Sequence, residues 1–263
     1  YQDLQSLVVG KKYDKGVLGY FNRGKQFPQF LMNSVNGSVQ SVILPAMSAR
    51  QDDRAEVKAL MRKSIMLGSY IVFPMMAGLA GIARPMVRLL LTEKWIACVP
   101  FLQIYCFTFA FYPIHTCNLQ TINAMGRSDI FLKLEIIKKA IGISALIVVI
   151  WAFDSPVTIA LTSVFTTVTG CFINAYPNKK LIGYSYFEQM KDILPAFLAS
   201  LIMCVGVLAI GQLGLGTLLT LVVQIFSGVA IYLFLSMIAK LTPFMMLKEL
   251  TVMYCSKKRE EHE

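Results

Sequence analysis

Charged residues are scarce in this sequence. Only 15 % of its 263 residues are charged and 56 % are hydrophobic, and the mean hydropathy is +0.60. A soluble chain of this length needs far more polar surface to cover itself. Four blocks contain no charge at all, at 64–83, 95–126, 155–178 and 193–239. Since a bilayer-spanning helix needs about 20 mostly apolar residues, each block can cross a membrane, and the last can cross twice.

The patterns that carry enzyme and metal chemistry are also missing. The six cysteines form no CxxC pair, and five lie in apolar segments, where a cysteine acts as a small apolar side chain. The sequence has no nucleophile–base set, paired acids, metal-ligand spacing or phosphate-binding glycine loop. We therefore expect no enzyme, no cofactor and no metal site.

The net charge of +10 would suggest a nucleic-acid partner in a soluble protein. No zinc finger, RNA-binding signature or separate basic helix accompanies it, and cytoplasmic loops of membrane proteins collect Lys and Arg. We therefore expect no nucleic-acid binding and a cytoplasmic carboxy-terminal tail. The clusters near 50–63, 127–139, 179–191 and 240–259 then share the cytoplasmic side. The basic residues at 11–25 and 84–94 fall on the outer side, against the simple rule.

The hydropathy pattern predicts an all-α integral membrane protein with about seven transmembrane helices. The spans are expected at about 18–47, 64–91, 96–125, 129–153 and 155–178, with two more in 193–239 on either side of a glycine-rich turn. Prolines at 28, 45, 74, 100 and 113 are expected to interrupt or end helices. Because the chain begins at Tyr1 without a signal segment, we expect a fragment of a longer protein whose earlier half is missing.

The first of these spans is unusually polar. Six carboxamides recur at intervals of 4, 3, 4, 3 and 4 residues, which places them on one helical face: Asn22, Gln26, Gln29, Asn33, Asn36 and Gln40. We call this set the carboxamide row. Hydrocarbon cannot satisfy these groups, at a cost of roughly a few kcal/mol each. A row of six favours a hydrated cavity, with amide cross-links between helices as the alternative.

Two cations lie beside the carboxamide row. The planar guanidinium of Arg23 can donate two parallel hydrogen bonds to a phosphate, which a lysine cannot, so Arg23 is the first candidate anion ligand and Lys25 the second. Ionisable residues inside a membrane are functional candidates by default. The alternative is that both side chains snorkel to the interface.

Weaker polar features occur further along the chain. Threonines at 158, 162, 166 and 169 are expected to bond back to the preceding turn. His115 is expected to form a hydrogen bond between helices, with a proton relay as the alternative. Asp129, Lys133 and Glu135 are expected to form a solvated, mutually paired face.

Four short motifs occur in order along the chain, at Leu18–Gly24, Leu44–Ser48 with Gln51–Asp53, Thr92–Trp95 and Asn123–Asp129. They resemble the patterns LGYYNRA, FPALS…QDD, GEKW and NAxGRSD of Wzx-type polysaccharide exporters, which belong to the multidrug/oligosaccharidyl-lipid/polysaccharide (MOP) flippase superfamily. The chain departs from the patterns at Phe21, Gly24 and Thr92, none of which removes a charge.

The resemblance implies the second lobe of a MOP-type flippase plus extra carboxy-terminal helices, facing a central cationic cavity. It divides the chain into the end of a preceding helix and an outer loop (1–17), second-lobe helices with about five spans (18–182), two additional helices (183–240) and a basic tail (241–263). It also implies alternating-access flipping of undecaprenyl-pyrophosphate-linked oligosaccharide repeat units across the bacterial inner membrane, for exopolysaccharide, O-antigen or capsule synthesis. The implied partners are this lipid-linked oligosaccharide, membrane lipids and, as candidates, polysaccharide polymerase or export proteins.

Three other functions stay open. A MATE-like multidrug or cation antiporter needs a membrane-embedded carboxylate, and from Gln26 onward no Asp or Glu lies centrally in an apolar block. A lipid II flippase would share the mechanism but carry a different headgroup. A non-transporting, truncated remnant would keep the fold without the activity.

Overall fold

The computed structural model describes residues 2–249, apart from the side chains of residues 2, 36 and 38–42. The described part is helical, without strands. The helices are α1 Gln2–Lys12, α2 Lys15–Ser48, α3 Arg54–Gly81, α4 Ala83–Leu91, a 3₁₀-helix Glu93–Cys98, α5 Val99–Ala110, α6 Tyr112–Ala124, α7 Ser128–Ala152, α8 Pro156–Ile182, α9 Tyr186–Ile210 and α10 Thr217–Ile238. The all-α class is confirmed. The predicted division into four regions stays a prediction, and most of its basic tail lies outside the described residues.

Short polar side chains determine where several long helices begin. Asp14 caps α2 by accepting from the Val17 N–H at 2.8 Å. Asp53 caps α3 by accepting from the Ala55 N–H at 2.8 Å, and Ser185 begins α9 with a capping box. These caps satisfy backbone donors that the first helical turn leaves unpaired. Because α3 begins at Arg54, the charged stretch expected to precede the second span is the first part of the same helix.

The expectation that prolines interrupt the early helices is wrong at three positions. Pro28 and Pro45 lie inside the continuous α2, and Pro74 lies inside α3. Pro100 and Pro113 lie instead in the first turns of α5 and α6, where the missing N–H costs no helical hydrogen bond. Within a packed membrane bundle, neighbouring helices can hold a chain helical across a missing hydrogen bond.

Five described helical segments are long and apolar enough to cross a membrane: Arg54–Gly81, Glu93–Ala124, Pro156–Ile182, Tyr186–Ile210 and Thr217–Ile238. Helices α2 and α7 are also long, with 34 and 25 residues, but neither is among these five segments. A multi-pass membrane protein is therefore supported, whereas the count of seven spans is not confirmed.

The basic clusters near 50–63 and 179–191 lie at one end of the bundle. Lys58 Nζ donates to the Gly183 carbonyl at 2.6 Å, and Arg62 pairs with Asp192, so the amino-terminal ends of α3 and α9 meet. At the other end, Lys12 Nζ lies 3.3 Å from Asp154 Oδ1. The clusters near 50–63 and 179–191 therefore share one end of the bundle. That this end is cytoplasmic stays a prediction.

Candidate functional site

The carboxamide row lies along one helix. Since α2 continues through both of its prolines, the predicted spacing keeps the row on a single helical face. Asn22, Gln26 and Asn33 are exposed and Gln29 is half-buried, while Phe21 on the opposite face is fully buried. The predictions for Asn36 and Gln40 concern side chains outside the described set.

A shallow cavity of about 600 Å³ opens beside the start of the row. We call it the arginine cavity. Its wall includes both predicted cations and the first three carboxamides, together with an indole ring: Asn22, Arg23, Lys25, Gln26, Gln29 and Trp95. The structure thus brings five of the eight predicted residues into one cavity. Asn33 is not among its lining residues.

Two neighbours hold the Arg23 side chain in this cavity. Its Nη1 donates to Gln26 Oε1 at 2.7 Å, and its guanidinium carbon lies 5.3 Å from the centroid of the Trp95 ring. Among the described residues, no carboxylate forms an ion pair with it. A guanidinium has five N–H donors, so several stay available to an anion. The arginine is therefore oriented while its charge is not neutralised by the chain.

A second cavity of about 720 Å³ adjoins the first. We call it the inner cavity. It lies among α2, α5, α6, α7 and α8, and its wall is mostly polar, with Tyr112, His115, Gln120, Glu135, Lys138 and Ser163 among the lining groups. Lys25, Gln29 and Asp3 line both cavities. A polar ligand longer than either cavity can therefore extend through both.

Lys25 is the most enclosed of the predicted cations. Its side chain is 10 % exposed, and its Nζ lies 4.0 Å from Asp3 Oδ1, on a fully exposed carboxylate. An ion pair at that distance to a solvated partner contributes little stability. The ammonium therefore keeps most of its capacity to attract an anion at the junction of the two cavities.

Four charged residues of the inner cavity were not predicted as site residues: Asp3, Glu135, Lys138 and Lys139. Glu135 was expected on a solvated face with Asp129 and Lys133. The structure instead pairs Asp129 with Arg127 at 2.9 Å and Glu135 with Lys138 at 2.5 Å. The sequence could have indicated the Glu135–Lys138 pair, because these opposite charges are three residues apart just before the uncharged part of the predicted span. The argument against an antiporter from the absence of an embedded carboxylate is weakened accordingly.

Two of the weaker polar features, His115 and the threonines at 158, 162, 166 and 169, behave as expected. His115 joins α6 to α8, with Nδ1 3.0 Å from Asn174 Nδ2 and Nε2 3.5 Å from Cys171 Sγ. The four threonine hydroxyls of α8 donate to carbonyl oxygens one turn earlier. Both predictions are confirmed, although His115 and Thr166 also line the inner cavity.

The fully buried amides that cross-link helices lie away from the carboxamide row. Asn118 Nδ2 donates to Gln189 Oε1 at 2.8 Å, and Asn178 Nδ2 donates to Asn118 Oδ1 at 2.7 Å. All three side chains are fully buried, and they join α6, α8 and α9. Among the described amides of the row, Asn22 accepts from Ser6 Oγ at 2.9 Å, an exposed contact between α1 and α2, and Gln26 accepts from Arg23 on α2 itself. The hydrated-cavity interpretation of the row stays a prediction.

Water access along α2 is testable by cysteine labelling. In a Cys255→Ser background, Gln29→Cys and Asn33→Cys are expected to react with a membrane-impermeant maleimide in the membrane-embedded protein. Met32→Cys is the matched control, because Met32 is buried at 1 % exposure on the same helix and should stay unreactive. Equal protection of all three positions from the reagent would contradict a hydrated cavity.

Comparison with known proteins follows the same direction as the motifs. A family model described as polysaccharide biosynthesis protein matches residues 1–100. The lipopolysaccharide biosynthesis protein WzxC of Escherichia coli (strain K12) is 25 % identical over 201 residues, covering 75 % of this chain and 40 % of that protein. The teichuronic acid biosynthesis protein TuaB of Bacillus subtilis (strain 168) is 21 % identical over 248 residues, covering 89 % and 49 %.

A solved structure shares the fold. The lipid II flippase MurJ, in an inward closed conformation, superposes with a TM-score of 0.72 at 20 % identity, covering 90 % of this chain and 50 % of that one. At this identity the likeness shows the fold alone. The chain spans about half or less of the length of these relatives. The resemblance drawn from the four motifs is confirmed at the level of sequence similarity, since the chain is similar to polysaccharide biosynthesis proteins that include WzxC.

Proposed function

We propose that this chain forms one wall of a cavity through which a flippase moves undecaprenyl-pyrophosphate-linked oligosaccharide repeat units across the bacterial inner membrane. The observation that carries the proposal is the pair of adjoining polar cavities, with Arg23 in one and Lys25 at their junction. The basic end of the bundle is the cytoplasmic side in this proposal, and the tail after residue 240 lies there.

Electrostatics explains why such a cavity is needed. A pyrophosphate that enters hydrocarbon without partners pays a prohibitive desolvation cost. The half-buried Arg23 and the enclosed ammonium of Lys25 replace part of its hydration with fixed positive charge. Binding of the anion is therefore assigned to these two residues, and the lipid tail stays in the bilayer beside the cavity.

The inner cavity suits the sugar part of the same ligand. Its volume of about 720 Å³ lies in the range of small-molecule sites, about 300 to 1,000 Å³. Hydroxyl, amide and imidazole groups line it, and these can donate to and accept from sugar hydroxyls. Gln29 belongs to both cavities, so the carboxamide row continues the polar surface from the phosphate to the sugar.

An antiporter is the second candidate, since Glu135 supplies a carboxylate within a cavity. Lys138 Nζ lies 2.5 Å from Glu135 Oε1, so the carboxylate is already neutralised by a cation of the chain. A cationic drug would have to displace that ammonium. Arg23 has no ion pair among the described residues, and Lys25 has only the 4.0 Å contact to the solvated Asp3, so these two cations favour an anionic ligand.

Ligand binding to the purified chain in phosphatidylcholine nanodiscs tests the proposal. Undecaprenyl pyrophosphate is expected to bind more tightly than undecaprenol, and Arg23→Gln is expected to weaken its binding about 10- to 100-fold, the value of a charged hydrogen bond. Arg84→Gln, which removes an exposed arginine outside both cavities, should leave the affinity unchanged. The proposal is wrong if Arg23→Gln binds like the parent protein, or if a cationic dye competes better than the pyrophosphate.

A further inference from the structure

A third cavity lies at the basic end of the bundle, where α3 and α9 begin and α10 has ended. It measures about 600 Å³ and shares no lining residue with the arginine cavity or the inner cavity. Four cations and one carboxylate line it: Arg62, Lys63, Lys191, Lys240 and Asp192. We call it the basic groove.

The carboxylate of the groove is already satisfied within the chain. Arg62 donates to Asp192 through two parallel bonds of 2.8 and 2.6 Å, and the Tyr184 hydroxyl donates to the same carboxylate at 2.7 Å. The Asp192 side chain is 10 % exposed. This carboxylate therefore cannot also neutralise the three lysines.

The lysines of the groove have no such partner. Lys63, Lys191 and Lys240 are exposed, and within residues 2–249 none of them forms an ion pair or a side-chain hydrogen bond. Like charges converging on one concave surface repel each other, and a concave surface concentrates their field. The groove is thus a site of uncompensated positive charge.

The backbone of Lys240 points to a function for this arrangement. Its φ is +45°, in the left-handed region that glycine adopts after a helix. The Leu241 N–H donates to the Ser236 carbonyl at 3.1 Å. This hydrogen bond caps the carboxy-terminal end of α10, with Lys240 in the left-handed conformation. Strain of this kind in a non-glycine residue supports a functional role when other observations point to a site.

We propose that the basic groove binds the phosphate headgroup of an anionic phospholipid from the surrounding membrane. The cations lie at the ends of helices that are long and apolar enough to cross a membrane, where lipid headgroups are expected. The rest of the wall is largely apolar and includes Met66, Pro195 and Leu241. Beside it, α10 exposes Met237 and Ile238, along which an acyl chain can lie. Basic pockets between membrane helices recruit anionic headgroups in this way.

Charge-matched variants test the proposal. The affinity for fluorescent phosphatidylglycerol is measured with the delipidated, detergent-solubilised protein. The groove variant Lys63→Gln/Lys191→Gln/Lys240→Gly is expected to lose about tenfold or more in affinity, since each lysine near a headgroup attracts it. The control Lys133→Gln/Lys179→Gln/Lys180→Gln removes three exposed lysines of α7 and α8 and should keep the parent affinity. Equal losses in both variants would overturn the proposal by showing a general surface-charge effect.

Further measurements distinguish a lipid headgroup from a soluble phosphate, and a loss of binding from a loss of stability. Phosphatidylcholine should bind poorly, and millimolar glycerol phosphate should not displace phosphatidylglycerol; displacement at that concentration would indicate a soluble phosphate site and overturn the lipid assignment. Lys240→Gly alone relieves the left-handed lysine, so its melting temperature should not fall while its affinity does. An unchanged affinity would contradict the proposal. Undecaprenyl pyrophosphate binding at Arg23 should be the same in all these variants, which separates this test from that of the proposed function.

Discussion

Gly24→Ala is expected to destabilise the bundle by about 1 to 3 kcal/mol, the range for overpacked sites. An added Cβ at this position would lie 2.6 Å from Phe101 Cβ, 2.8 Å from the Cys98 carbonyl oxygen and 2.8 Å from the Leu102 nitrogen. Two of these are backbone atoms, one in the 3₁₀-helix and one in α5, so no side-chain rotation relieves the clash. Thermal unfolding of the detergent-solubilised protein should show a melting temperature lower by several degrees.

Gly37→Ala is the matched control on the same helix. Nothing lies within 4 Å of a Cβ added there, and alanine is favoured over glycine in a helix by about 1 kcal/mol. This variant should be neutral or slightly more stable. If Gly24→Ala were as stable as Gly37→Ala, the close contact between α2 and α5 described here would be wrong. The substitution also tests the departure from the family pattern, which has alanine at position 24.

Asn118→Leu is expected to cost about 2 kcal/mol or more in the free energy of unfolding. The substitution leaves the buried amides of Gln189 and Asn178 without the Asn118 side chain that they bond at 3.1 and 2.7 Å. A buried polar group without a partner costs about 1 to 3 kcal/mol, and hydrogen bonds between membrane helices average less than that. Denaturation in mixed micelles measures the loss.

Asn33→Leu is the control variant for Asn118→Leu. Asn33 is exposed and lies in the carboxamide row, so its replacement should leave the unfolding free energy unchanged within about 0.5 kcal/mol. A large loss at Asn33, equal to that at Asn118, would show that the row holds helices together. That result would remove the main argument for a hydrated face on α2.

The part of the site on α2 could be predicted because its information is local. A spacing of 3 and 4 residues fixes a helical face wherever the helix lies, so Arg23 and Gln26 could be assigned to one surface before any packing was known. The same reasoning failed for Pro28, Pro45 and Pro74. Whether a proline breaks a helix depends on the neighbours that hold it, and these are distant in sequence.

The inner cavity could not be predicted for a related reason. Glu135 and Lys138 have the local pattern of a surface pair, and only the packing of α7 against α8 places them in a cavity wall. The cross-links between buried amides could not be predicted either. Asn118 and Gln189 lie 71 residues apart, and they are the same residue types as those of the carboxamide row. The difference between a cross-linking amide and a cavity amide is one of tertiary contact.

In the proposed function, the length of α2 has a consequence for how a bound headgroup would move. An α-helix advances about 1.5 Å per residue, so positions 22 and 40 of this unbroken helix lie about 27 Å apart along its axis. That distance nearly equals the roughly 30 Å depth of a bilayer's hydrocarbon layer. A polar headgroup moving along this helix would therefore meet a new residue of the predicted carboxamide row at about each turn. Its hydrogen-bonding partners would be spread across the hydrocarbon layer and not confined to one binding site in the middle.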